Sequence, residues 1–227
     1  MMRHLLKVLS GITLLASAVD VSAQTGRIEG VASISQRLTL VHRRIRVYDE
    51  PGKTAARAER DENPFANVVV YLESVPGSNK RPAAAPAMRQ RGEQFTPHVL
   101  PVLAGSTVQF PNEDPIYHNV FSLSRARTFD LGRYARGASK SVLFPSASLV
   151  QVFCHIHADM SGYVLVLQNP YFVQPDSQGR FSLEGIPPGT YRLVAWHERI
   201  RPNGTMVQVS AGGATKVSVS IPISDPP

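Results

Sequence analysis

A chain of 227 residues with 43% hydrophobic content is long enough to bury one large core or two small ones, and too apolar for disorder throughout. The formal net charge of +7 suits an acidic partner, but the basic stretches 41–62 and 79–91 are broken by Asp, Glu, Pro and Ala and carry no aromatic ladder for stacking bases, which argues against nucleic acid. One cysteine excludes an intramolecular disulfide and leaves Cys154 as an intermolecular bridge, an inert buried thiol or a metal ligand.

The N-terminus has a basic start (Arg3, Lys7), an apolar run over 8–19 and the small-residue site Val21-Ser22-Ala23. This is the pattern of a signal peptide, residues 1–23, cleaved before Gln24. The apolar run is too short to span a bilayer, and no later stretch approaches a span, so the mature protein is expected to be periplasmic or secreted with no membrane span.

Strand patterns follow in order. "GRIEGVAS" (26–33), "NVVVYLES" (67–74), "STVQF" (106–110), "HNVFSLS" (118–124), "KSVLF" (140–144), "LVQVFCH" (149–155) and "GYVLVLQ" (162–168) are short, rich in Val, Leu and Phe, and separated by turn residues. After Asn169-Pro170 the pattern continues with "GRFSLEGI", "TYRLVAWHE", "TMVQVSA" and "TKVSVSIP". The expected fold class is all-β, built of β-sandwiches. The polar, charged and Pro/Ala-rich stretches 34–66 and 75–93 read as loops, with "LTLVHRRIRVY" (38–48) a short strand or helix.

The stretch "VFCHIHADMSGYVLV" answers the question of the lone cysteine. If "LVQVFC" is a strand, Cys154 lies at its end, His157 falls in the turn, and Met160 stands where the return strand begins. His118, at the start of another strand, supplies a fourth donor. One thiolate, two imidazoles and a thioether suit copper, because sulfur holds Cu(I) and imidazole accepts Cu(II); zinc would recruit a second Cys, a third His or a carboxylate. His155 alternates with Cys154 and is expected to point away from it. His98 reads as a hydrogen-bonded structural histidine, Met88 as part of a polar linker, and Glu113 and Asp114 as solvated loop charges. No Ser-His-Asp set or Gly-rich phosphate loop is present, so the chain is not read as an enzyme.

With Cys-x-x-His-x-x-Met in this strand context and His118-Asn119 upstream, most of 94–168 resembles the cupredoxins, in particular the short-loop amicyanin branch and the cupredoxin-like proteins associated with methylamine utilisation. The resemblance implies a Greek-key sandwich with one copper ion held by His118, Cys154, His157 and Met160. It also implies that Asn119 hydrogen-bonds across the site and holds the ligand loop. "FPSASL" stands where the family often has a Pro-Gly turn before the cysteine strand.

"PDSQGRFSLEGIPPGTYRLVAWHE" resembles the second half of a carboxypeptidase regulatory-like, transthyretin-type sandwich. Its missing first half has a counterpart upstream in "GRIEGVAS" and "NVVVYLES". The expected organisation is therefore a sandwich split between 24–74 and 169–227, a linker or first cupredoxin strand over 75–93, and a copper domain over 94–168. The competing arrangement gives "GRIEGVAS" to the cupredoxin. Two functions follow from the resemblance: a one-electron carrier cycling between Cu(I) and Cu(II) with a redox partner protein, or a copper-binding accessory or delivery protein that uses its sandwich to bind a partner. Donor, acceptor and oligomeric state are left open.

Overall fold

The computed structural model describes residues 24–34, 63–76, 85–200 and 202–222. The expected signal peptide and the 38–48 segment lie outside the described residues. Every regular element among the described residues is a strand. In chain order they are β1 (Gly26–Ile34), β2 (Val69–Glu73), β3 (Arg89–Gln90), β4 (Phe95–Thr96), β5 (Val99–Leu103), β6 (Ser106–Pro111), β7 (His118–Ser122) and β8 (Phe129–Tyr134). There follow β9 (Ser139–Phe144), β10 (Ser148–Phe153), β11 (Ser161–Leu167), β12 (Phe172–Val173), β13 (Arg180–Ile186), β14 (Gly189–Trp196), β15 (Asn203–Val209) and β16 (Ala214–Ile221). The chain is all-β, as its alternating apolar pattern requires.

The strands form two sandwiches. In the first, a five-stranded sheet β5-β11-β10-β7-β8 faces the pairs β6-β9 and β3-β4, which are linked by isolated bridges from Ala87 to Gln109 and from Gln90 to Asn112. Between them lies an apolar core that includes Met88, Phe110, Val120, Phe144, Val152 and Val164. In the second, β13-β1-β16 faces β12-β2-β14-β15 around Ile28, Val70, Leu72, Phe181, Leu193 and Ile221. Strand β1 runs antiparallel to β13 and parallel to β16, and β2 pairs with β12 and β14. Strands that precede and follow residues 94–168 in the chain thus share both of these sheets.

Gly179 shows how closely the ends meet. Its φ is 79°, a conformation that glycine adopts at no steric cost, and a Cβ there would lie 2.2 Å from the carbonyl oxygen of Ala32. Asp176 closes the preceding turn by accepting the backbone N–H groups of Gln178 and Arg180.

Near-continuous apolar runs explain how the two sandwiches join. In β11, Val164 and Val166 face one core while Leu165 and Leu167 face outward; in β2, Val70 and Leu72 face the other core while Val69 faces outward. The outward residues meet: Val69, Val99, Leu165, Leu167 and Trp196 form a buried cluster flanked by Tyr71, Tyr163 and Phe172. Sheets buried on both faces need no polar alternation.

One local expectation needs correction, and the strands β5 and β8 lie outside the expected set. The stretch 75–93 is not entirely loop: β3 lies within it, and Met88 and Gln90 are fully buried. Gln90 Nε2 donates to the Tyr134 hydroxyl at 2.5 Å, and that hydroxyl in turn donates to the Phe110 carbonyl at 2.8 Å. Strand β5 was masked by Pro97 and Pro101; proline is tolerated because β5 is an edge strand of its sheet. Strand β8 contains Gly132 at φ 64° and pairs with β7 through a register shift between Asn119 and Phe121.

Candidate metal centre

The loop over 154–160 is closed by its own backbone. The Cys154 N–H donates to the Met160 carbonyl at 3.1 Å, and the Met160 N–H donates to the His157 carbonyl at 3.0 Å, directly beyond the last β10–β11 pair, Phe153 with Ser161. This short closure gathers Cys154, His157 and Met160 at one end of the sandwich. Cys154 and Met160 are both buried in the apolar core described above.

Strand β7 brings the distant partner. His118 is its first residue and is fully buried. Its Nδ1 lies 3.8 Å from the Cys154 Sγ, and the Nδ1 of His157 lies 3.8 Å from the same sulfur. The two imidazole rings are 4.7 Å apart between centroids. One donor atom from each of His118, Cys154 and His157 falls within 4.8 Å of the others. A thiolate and two imidazole nitrogens converging at this spacing fit a soft, borderline transition metal such as copper.

Two side chains stand behind the donors. Asn119 accepts the His155 N–H on its Oδ1 at 2.8 Å and donates from Nδ2 to Asp130 at 2.7 Å, tying β7 to the loop that carries Cys154 and His157. Asp114 contacts His118: its Oδ2 lies 2.8 Å from the Nε2 of that ring. Burial pushes the Asp114 carboxyl up, but the N–H groups of Glu93 and Gly92 and the His118 ring together hold it below the usual carboxylate range.

The reading of Asp114 as a solvated loop charge is therefore overturned. It is buried, whereas its neighbour Glu113 is exposed and pairs with Arg89 at 3.1 Å. The available signal was the Asp-x-x-x-His spacing that leads into β7. Met88, expected in a polar linker, is fully buried in the apolar core of the first sandwich. His155 points away from the donors, stacks on Phe121 with ring centroids 3.7 Å apart, and lies 3.7 Å from the Asp130 carboxylate. His98 is hydrogen-bonded to Glu198.

His157 reaches the surface in a shallow open depression that it lines with Ile116, Tyr117, Ile156 and Arg133. A second, polar depression is lined by Arg91, Asn112, Glu113, Arg136 and Gly137. Asn112 joins the two regions by donating to the carbonyls of Ile116 and Tyr134.

Among known families, the model of polysaccharide lyase family 4, domain II, an fn3-type domain, matches residues 136–217. No curated protein matches the chain. Among solved structures, the chain is similar to the Cu-containing nitrite reductase from Thermus scotoductus SA-01, with 22% identity over 40% of this chain and a TM-score of 0.37; it spans 24% of that protein. It is also similar to a purple cupredoxin from Nitrosopumilus maritimus, with 19% identity over 36% of this chain and 98% of that one, TM-score 0.33. A reduced Cu(I) amicyanin variant is 20% identical over 43% of this chain and 97% of its own, with a TM-score of 0.35.

Proposed function

We propose that this chain is an exported type 1 copper protein that transfers single electrons, with one ion held by His118, Cys154, His157 and Met160. The observation that carries the reading is the convergence of Cys154 Sγ with the Nδ1 atoms of His118 and His157 at one buried end of a β-sandwich. A copper ion bound there would supply the one-electron couple. The chain's own residues do the rest. The backbone closure of 154–160 and the Asn119 bridge hold the donors in place, the apolar core around Cys154 and Met160 excludes water, and the partly exposed His157 provides the contact point for a partner.

The partner is a redox protein with an acidic surface. Arg133 lies beside His157, and Arg91 and Arg136 line the neighbouring depression. Ile116, Tyr117 and Ile156 offer apolar contact within this basic setting. Among the described residues no helix is long and apolar enough to cross a membrane. The second sandwich, from 24–74 and 169–227, serves as a regulatory-like module into which the copper domain is inserted.

Adding Cu(II) to the purified protein tests the reading. An intense thiolate-to-copper absorption band, saturating at one copper per chain, is the expected result. Cys154→Ser should abolish it without unfolding the protein, whereas His155→Ala and His98→Ala should keep it. A colourless wild type that nevertheless binds Cu(II) would overturn the proposal.

A further inference from the structure

We propose that Asp114 is a positioning residue that fixes the proton of His118 on Nε2, presents its Nδ1 lone pair to the metal position, and favours the oxidised over the reduced ion; the last part rests on the copper reading above. An ionised carboxylate only accepts hydrogen bonds. Asp114 Oδ1 accepts the Gly92 N–H at 2.6 Å, and Oδ2 accepts the Glu93 N–H at 2.9 Å and faces His118 Nε2 at 2.8 Å. The ring must therefore donate from Nε2, so that in its neutral form the free lone pair is that of Nδ1, on the side of the Cys154 sulfur.

The carboxylate is itself held. Its own backbone N–H donates to Asn112 Oδ1 at 3.0 Å. The turn that supplies Gly92 and Glu93 is closed by reciprocal bonds between Arg91 and Gln94, and both central residues have positive φ, 61° and 58°. That conformation disfavours Glu93 as a non-glycine residue, and it aims two successive N–H groups at one carboxylate. Asparagine cannot replace this arrangement, because one of its two termini is a donor and would face a backbone N–H or the His118 Nε2–H.

A carboxylate behind a ligating imidazole raises the basicity of the donor nitrogen. The higher charge of Cu(II) gains more from that than Cu(I) does. Asp114 therefore lowers the reduction potential of the bound ion. Glu113 provides the contrast, being the adjacent carboxylate that is exposed and pairs with Arg89.

The experiment compares copper-loaded wild type, Asp114→Asn and Glu113→Gln by voltammetry and by Cu(II) and Cu(I) affinity, together with nitrogen-15 NMR of His118 in the metal-free wild type. Asp114→Asn should weaken Cu(II) binding by about tenfold more than Cu(I) binding, which raises the potential by about 59 mV for one electron. Glu113→Gln should shift it far less. At a pH where His118 is neutral, the metal-free wild type should show its proton on Nε2. Equal shifts in the two variants, or none, would overturn the tuning role, and an Nδ1-protonated ring would overturn the positioning role even if Asp114→Asn fails to fold. Absence of a thiolate–copper band in wild type would instead count against the copper reading, and the metal-free spectrum would still decide where the proton sits.

Discussion

His98 Nε2 lies 2.6 Å from Glu198 Oε2, a contact that joins the residue before β5 in one sandwich to the segment after β14 in the other. Tyr163 of β11 sets its ring edge-on to His98 at 5.5 Å and to Trp196 at 6.0 Å. The polar pair thus borders the apolar cluster that buries the outer faces of both sheets.

Acid should loosen the fold at this border first. Burial pushes the Glu198 carboxyl up, but its hydrogen bond to His98 and the nearby positive groups hold it below its ordinary 4.5. Burial holds His197 below its ordinary 6.5, against the pull of Glu198. Both folded values are depressed, so the unfolded chain binds more protons and stability rises with pH. The His197 contribution is present above 6.5 and is lost as pH falls below it; the Glu198 contribution is lost below 4.5. Thermal melts across this range should show Tm falling as the pH is lowered, and His197→Asn, which keeps an acceptor for the Arg199 N–H, should flatten the upper part of the curve. A pH-independent Tm between these values would contradict the argument.

Leu165 tests the apolar part of the same contact. It is nearly fully buried and faces the second sandwich, away from the core of its own. Leu165→Ala should cost about 2–5 kcal/mol in chemical denaturation and leave the copper band unaltered. A change in the band with no loss of stability would mean that the two sandwiches are coupled differently.

Asn119 is expected to matter for retention of the metal more than for its colour. Asn119→Ala leaves the His155 N–H without its acceptor, at a cost of about 1–3 kcal/mol, and frees the loop that carries Cys154 and His157. Copper loss to a chelator should be faster than in wild type while the absorption band keeps its position. An unchanged off-rate would remove Asn119 from the account of the loop.

Met160→Leu separates thioether ligation from packing. The side chain is 1% exposed, and a volume-conserving swap in a core costs less than about 1.5 kcal/mol. If the sulfur is a weak axial donor, its removal disfavours Cu(II) more than Cu(I), so the potential should rise while copper stays bound. A potential equal to that of wild type would leave Met160 as a core residue only.

The convergence of Cys154 and His157 was legible in the chain because it is local: two strands and a short turn, closed by backbone bonds between residues three and six apart, place these side chains at one end whatever else the fold does. The all-β class was legible for the same reason, since period-two burial is written into each strand. His118 could be nominated by its chemistry, but its 3.8 Å approach to a sulfur thirty-six residues away is set by the β7–β10 pairing. Asp114 was misread because its place four residues before His118 is the sole local difference from Glu113, and that spacing does not by itself bury a carboxylate. Its burial comes from Gly92 and Glu93, twenty-two and twenty-one residues upstream, whose turn packs over it. The apolar runs of β2 and β11 announced strands covered on both faces, while the identity of the covering partner depended on which sheets stacked. Local periodicity and ligand spacing are properties of the covalent chain; the choice between a solvated and a buried carboxylate, and between one neighbouring sheet and another, arises only when distant segments exclude water together.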